Sequence, residues 1–287
     1  MTDVAERTVL PGRVTGARVA ARQTLWTAIR FEWVKARSLR GTWVGLAVVV
    51  LVLVGFSALA TSVSVGAVST PEGAPGPGGP FAATSDPLAI ALTGANLAVL
   101  VLGVLGGMAG AREFGSRMIS NSVAAVPRRW QVVLAKAVVF TATSLPAALV
   151  GVFGAFWVGM AVLSGGDADV VALGDEGVLR SVLGMAGYVT AIGLLGLGLG
   201  VLLRSTAGSI GAVIGGVLVL PAMAGGLLPD DWTSVLRFLP SSAGASFTTV
   251  MAAGDTTLGA GAGAAVLVAW VVGVLVAAGV VFGRRDV

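Results

Sequence analysis

The sequence predicts an all-α membrane protein: six transmembrane helices, an amphipathic interfacial helix before the first, and a short cytoplasmic helix between spans two and three. Three observations predict it. Apolar stretches, uncharged when Lys136 is counted with the connection before the third, run over Trp43–Thr61, Leu88–Ala111, Val132–Leu163, Ser181–Leu203, Ser205–Leu228 and Ala260–Phe282. Most reach the ~20 residues that a ~30 Å hydrocarbon core requires. Of the 18 Lys and Arg residues, all but Arg180 and Arg237 fall on one side of that pattern when both termini are placed in the cytoplasm. The positive-inside rule counts Lys and Arg near span ends, and this distribution gives it one answer. The composition, 56% apolar and 11% charged, lies outside the soluble range of about 45–50% and 25%.

Residues 1–23 are polar and Arg-bearing, with Pro11 and Gly12 to break an early helix. They read as a disordered cytoplasmic tail, not as a secretory signal, because no short apolar core precedes a small-residue cleavage site. Residues 24–42 change character. Leu25, Trp26, Ile29, Trp33 and Ala36 recur at helical spacing, while Arg30, Glu32, Lys35, Arg37 and Arg40 occupy much of the rest. An apolar stripe with Trp beside basic residues suits a helix lying in the membrane interface, with Trp26, Trp33 and Trp43 at headgroup depth.

Residues 43–287 form the six-span domain. The first outer connection, Pro71–Pro80, is rich in Pro and Gly and reads as an irregular loop. Pro146 and Pro221 fall inside the third and fifth spans, where the missing donor can kink a helix. Spans four and five meet at Arg204 with almost no connection. The last outer connection, residues 229–259, is apolar enough for a short helix or re-entrant segment. Gly103/Gly107, Gly196/Gly200, Gly211/Gly215 and Gly259/Gly263 have the four-residue spacing that lets helices approach closely.

The residue inventory narrows the chemistry. Cys and His are both absent, which removes disulfides, thiolate nucleophiles, the commonest metal ligands and the commonest general base. No metal site is expected, and no enzyme activity in this chain. No Gly-rich run ends in Gly-Lys-Ser or Gly-Lys-Thr, so there is no phosphate cradle. The pI near 10.6 reflects juxtamembrane Lys and Arg facing anionic lipid, not nucleic-acid binding. With Lys136 counted in the second connection, the spans hold no Asp, Glu, Lys or Arg, whereas ion-coupled transporters keep an ionisable group at depth. Hydrogen bonding to helices accounts for most of the polar residues inside the spans. Asn96 and Tyr188 are the candidates to line a passage.

The connection between spans two and three carries the most specific signal. Phe114, Met118 and Ile119 would share one side of a short helix, and Glu113 and Arg117 sit four apart, the spacing of a helical ion pair. Pro127 ends it before Arg128, Arg129 and Trp130. Apolar residues shown to the cytosol and rimmed by charge are what a docking surface needs.

At this loop the chain resembles the membrane (permease) subunits of type-2 ATP-binding-cassette exporters. In that family an amphipathic connecting helix precedes the first span. The following loop carries Arg-Glu and an aromatic residue, a coupling helix, then Pro-Arg-Arg before a Lys. Here these are Thr24–Arg40, Arg112-Glu113-Phe114, Gly115–Ala125, Pro127-Arg128-Arg129 and Lys136, with the ending Gly283–Val287 also similar. The resemblance implies a cytosolic ATPase in two copies, which would bind ATP and Mg, and a second membrane domain, expected to be an identical chain. It makes Glu113, Phe114, Gly115, Arg117, Met118 and Ile119 the coupling residues, and Trp26, Ile29, Glu32 and Trp33 the face of the connecting helix. The expected function is export of an amphipathic or hydrophobic cargo across a bacterial inner membrane. The alternatives are a non-transporting scaffold or sensor subunit, and an ion-coupled secondary transporter.

The topology has a direct check, because the chain lacks cysteine. Single cysteines at Ser38, Ser116 and Asp286 are expected to be shielded from an impermeant thiol reagent in intact cells, and those at Gly76, Asp169 and Asp255 to react. Labelling at 286 without labelling at 169 would reverse the orientation.

Overall fold

The computed structural model describes residues 24–68, 86–115, 129–227, 233–250 and 258–284, and among them every regular element is helical. In chain order these are α1 (Leu25–Ser38), α2 (Arg40–Ser64), α3 (Pro87–Ala91), α4 (Gly94–Gly115), α5 (Arg129–Gly165), α6 (Val178–Leu203) and α7 (Thr206–Ile214). A π-helical turn (Gly215–Val219) follows, then α8 (Leu220–Leu227), α9 (Thr233–Leu236), α10 (Pro240–Thr248) and α11 (Ala260–Arg284). Six helical segments are long and apolar enough to cross a membrane: Arg40–Ser64, Gly94–Arg112, Trp130–Gly165, Val178–Leu203, Thr206–Met223 and Ala260–Arg284. The chain is a multi-pass membrane protein.

The helices alternate between a basic end, marked by Arg40, Arg112, Arg204 and Arg284, and an acidic end, marked by Asp86, Asp167, Asp175 and Glu176. Helix α6 is the axis of the bundle. It packs on α4, α5, α7, α10 and α11, and Val182, Ala186, Val189 and Ile192 are sealed on its inner faces. Apolar side chains of α2, α4 and α5 complete the main core, with Leu53, Leu102 and Phe156 fully buried.

The tightest junction, between α4 and α6, is made of bare backbone. A Cβ on Gly106 would strike the Gly193 carbonyl, and one on Gly110 the Leu197 carbonyl. Reciprocally, a Cβ on Gly196 or Gly200 would strike the carbonyl of Gly103 or Gly107. With no hydrophobic drive between helices in lipid, such close van der Waals contact is what holds them together. Two of the four spaced glycine pairs therefore have a defined partner; by contrast, a Cβ on Gly211, Gly215 or Gly259 would meet open space.

One element departs from the sequence expectation, and the two span prolines sit in different surroundings. The stretch Leu88–Ala111 is not one helix: α3 ends at Ala91, and Leu92 and Thr93 form a turn before α4. Asp86 caps α3 by accepting the Leu88 amide at 2.9 Å, and Pro87 holds its first position. Gly94 then presses on the Leu53 carbonyl and donates its amide to buried Ser57 Oγ at 3.2 Å. Pro146 does not interrupt α5, which runs for 37 residues through it. Pro221, by contrast, follows the π turn, where Leu220 N–H bonds the carbonyl of Gly215, five residues back. The wider turn makes room for the proline ring and its missing donor.

The described part of the last connection is helical and packs against α6 and α11. Trp270 Nε1, about 15 Å along α11 from its start, donates to the Phe238 carbonyl at 2.8 Å. Helix α10 is seated by glycine contacts: Gly244 lies under the Tyr188 ring, Gly184 under Phe247, and Gly263 against Ser246.

The α4–α6 junction predicts a paired outcome. Gly196→Val forces backbone apart and is expected to lower stability by about 1–3 kcal/mol, read as thermal unfolding in detergent. Gly187→Val on the same helix, where a Cβ meets nothing within 4 Å, should leave the melting temperature near wild type. Equal effects at the two positions would show that the seam is not held by backbone contact.

Candidate functional site

Two regions hold the residues singled out above. At the basic end, Leu39 alone separates α1 from α2, with extended backbone (φ −85°, ψ 107°). This break turns α1 off the axis of the first span, and Trp43 Nε1 donates across it to the Arg37 carbonyl at 3.2 Å. Helix α1 then lies against α5. Ala28 and Glu32 are its buried residues, while Leu25, Ile29 and Ala36 are half-buried.

The expected apolar stripe is therefore split. Trp26, 72% exposed, and Trp33 point away from the bundle beside Phe31 and Val34, with Arg30 and Arg37 on the same outer arc. Trp and Arg alternating on one exposed arc suit the headgroup region, but the protein-facing arc is centred on a carboxylate. The sequence pattern could not show this, because nothing local marks Glu32 as the inward residue.

Its partner is Lys136. The Lys136 ammonium lies 3.0 Å from Glu32 Oε1 and 3.2 Å from Oε2, and each residue is only 8% exposed. Lys136 is not part of the connection. It stands inside α5, about 10 Å beyond the start of that helix, so the charge-free account of the spans is corrected at this position. The physical reason is the pairing itself: a lone ammonium at that depth would be costly, and a carboxylate from a helix 104 residues away in sequence offsets it. A small hollow of about 100 Å³ beside the pair is bounded by Lys35, Leu39, Thr42, Arg112 and Phe140. Thus α1, the end of α4 and the start of α5 converge on one point.

Glu113, Phe114 and Gly115 follow Arg112 directly and are the final backbone residues of α4. Arg117, Met118 and Ile119 lie outside the described residues.

At the acidic end, Asn96 and Tyr188 are brought together on the wall of one cleft of about 740 Å³. Its sides are α4 (Ala95, Val99), α6 (Met185) and the fifth span at its π turn and proline (Val217, Pro221). Its floor is α10, which contributes Ser241 and Thr248. Tyr188 owes its position to Gly244, because any side chain there would displace the ring. Ser241 Oγ is sealed from solvent and has no hydrogen-bond partner among the described residues. Ser144 Oγ on α5 and Ser181 Oγ on α6 are likewise sealed without a partner among the described residues, whereas Thr93 bonds the Ala89 carbonyl, Thr141 that of Ala137, Thr143 that of Val139 and Thr190 that of Ala186. Sequence reasoning missed Lys136 as a buried partner, the π turn and the α10 contribution. Only the 229–259 apolar content hinted at the last.

No protein-family model, curated protein or solved structure matches the chain.

The ion pair has its own test. Glu32→Ala or Lys136→Ala strands the opposite charge in a buried site, an expected loss of about 3–5 kcal/mol. Glu32→Leu combined with Lys136→Met removes both charges and should recover most of it. Thermal unfolding in nanodiscs measures all three. Single and double variants that melt alike would mean the two groups are not coupled.

Proposed function

We propose that this chain is the permease subunit of a type-2 ATP-binding-cassette exporter. It would move an amphipathic or hydrophobic cargo (a drug, antibiotic, lipid or modified peptide) out of the cell, with energy from a separate ATPase. The observation that carries the reading is the cleft at the acidic end. It is large enough for a drug-sized molecule, its walls are apolar, and it holds both polar residues that the sequence singled out. On this reading the basic end is cytoplasmic, the acidic end faces outward, and two such chains pair with two ATPase copies that bind ATP and Mg.

The energy route follows from the convergence at the basic end. A partner that pulls on the segment after Phe114 acts on α4, whose last described residues adjoin the Glu32–Lys136 hollow through Arg112. Motion there reaches α1 and α5 together. It also reaches α6, because the glycine seam leaves α4 and α6 no slack. The cleft walls are the far ends of the same two helices. ATP binding then biases two packings of one rigid pair, which is how an energy source without a covalent link can open a passage.

Ion coupling is the reading that the buried pair invites, since Glu32 and Lys136 are ionisable groups at depth. They are nonetheless placed at the end opposite the cleft, and no residue lines both hollows. A relay that never meets the passage has no direct means of driving it.

The test is reconstitution with the partner ATPase. Phe114→Ala, Met118→Ala and their combination are expected to weaken ATPase recruitment or uncouple hydrolysis from export, with anchor losses of ~2 kcal/mol or more. Arg117→Ala, a rim contact, is expected to lose ~0–1 kcal/mol. Co-purification and cargo-stimulated hydrolysis are the readouts. Wild-type values for both in the Phe114/Met118 double variant would remove the docking assignment and favour the scaffold reading.

A further inference from the structure

The cleft that holds Asn96 and Tyr188 opens beside carboxylates. Among its lining residues Asp86 alone carries a formal charge. Asp86 also borders a second hollow, of about 300 Å³, which shares Asp86 and Leu88 with the cleft and is walled further by Asp175 and Glu176. The two spaces adjoin: one is large and apolar with scattered hydroxyl and amide groups, the other is a mouth with three carboxylates and no Lys or Arg among the described residues that line it.

The carboxylates are held in place by backbone. Asp86 accepts the Leu88 amide at 2.9 Å and Asp175 accepts the Ala172 amide at 2.7 Å. The neighbouring cation, Arg180, reaches the Thr249 carbonyl at 3.5 Å. One guanidinium beside three carboxylates leaves the mouth net negative. No three Asp or Glu among the described residues are grouped closely enough to hold a metal ion.

We propose that the two hollows form one binding site for an amphipathic cation, with an apolar or aromatic body in the cleft and a single amine or quaternary nitrogen towards Asp86, Asp175 and Glu176. Apolar walls such as Val99, Met185, Val217 and Pro221, with the Tyr188 ring beside them, accept the body by burial. A fixed negative mouth attracts cations and repels anions of the same shape, which is discrimination that apolar walls alone cannot supply. The inference names the cargo class of the proposed exporter and depends on that reading for transport, but not for binding.

The test therefore uses binding to the purified chain in nanodiscs of neutral lipid, without the ATPase. The probes are tetraphenylphosphonium and tetraphenylborate, which share a shape and differ in sign. Saturable binding is defined as the part lost in Ala245→Trp, which fills the cleft from α10. Wild type is expected to bind the phosphonium saturably and the borate at least tenfold more weakly.

Asp86→Asn keeps the α3 cap, because Asn caps helices as well as Asp does. It should weaken phosphonium binding about tenfold. Adding Asp175→Asn and Glu176→Gln should abolish the preference for the cation. Unchanged melting temperatures verify the fold of each variant. Equal saturable binding of the two probes, an unchanged preference in the triple variant, or displacement of the phosphonium by millimolar Ca²⁺ alone would each overturn the proposal. Binding as expected with no ATP-dependent export would leave this inference standing and count against the exporter reading instead.

Discussion

The close backbone contact of α4 with α6 is the constraint on which the rest of the bundle depends. In a bilayer, apolar side chains gain nothing by leaving lipid for another helix, so association rests on fit. Here the fit is at its limit: four glycine positions are occupied by the opposing helix's carbonyl groups, at Gly103, Gly107, Gly193 and Leu197. The seam lies in the basic half of both helices. Towards the acidic end the two carry Ala95, Asn96 and Val99 on one side and Met185 and Tyr188 on the other, and there they wall a cleft. A pair pinned at one end and separated at the other makes a stiff element whose tilt sets the width of that cleft.

The Glu32–Lys136 pair gives this element a handle. A buried ion pair is poor evidence of stability, since well-packed apolar residues often do as well. Its value is geometric, because only one placement of α1 against α5 satisfies both charges. With α1 joined to α2 through a single extended residue, Leu39, that placement also fixes where the first span begins. Three elements from distant parts of the chain are thereby registered beside Arg112, one residue before the segment proposed to meet the ATPase.

Much of this was legible in the sequence, and the parts that were not share a cause. Span number and rough bounds follow from long apolar runs between charges, a signal that survives any packing. Gly103/Gly107 and Gly196/Gly200 were readable as close-approach surfaces, yet their partners were not, because pairing depends on rotation about helices that a spacing rule cannot fix. Trp26 and Trp33 were expected to share the stripe with Leu25, Ile29 and Ala36. The structure separates them, since an inward Glu32 became tolerable once Lys136 faced it. Asn96 and Tyr188 stood out as polar residues without a local role, and the cleft brought them together. Ser241 and Thr248 did not stand out, because only the seating of α10 on Gly184 and Gly263 carries them inward.

In the proposed exporter the cleft is a passage whose width is set from the opposite end by a nucleotide-bound partner. Since the chain has no cysteine, a pair introduced at Leu100 and Ala222, on opposing cleft walls, reports the width through bifunctional thiol reagents of graded length. In the reconstituted complex with its ATPase, the reagent length that cross-links best should shift between the nucleotide-free state and the state trapped with a non-hydrolysable ATP analogue. The same length preference in both states, in a complex that still exports cargo, would contradict the account.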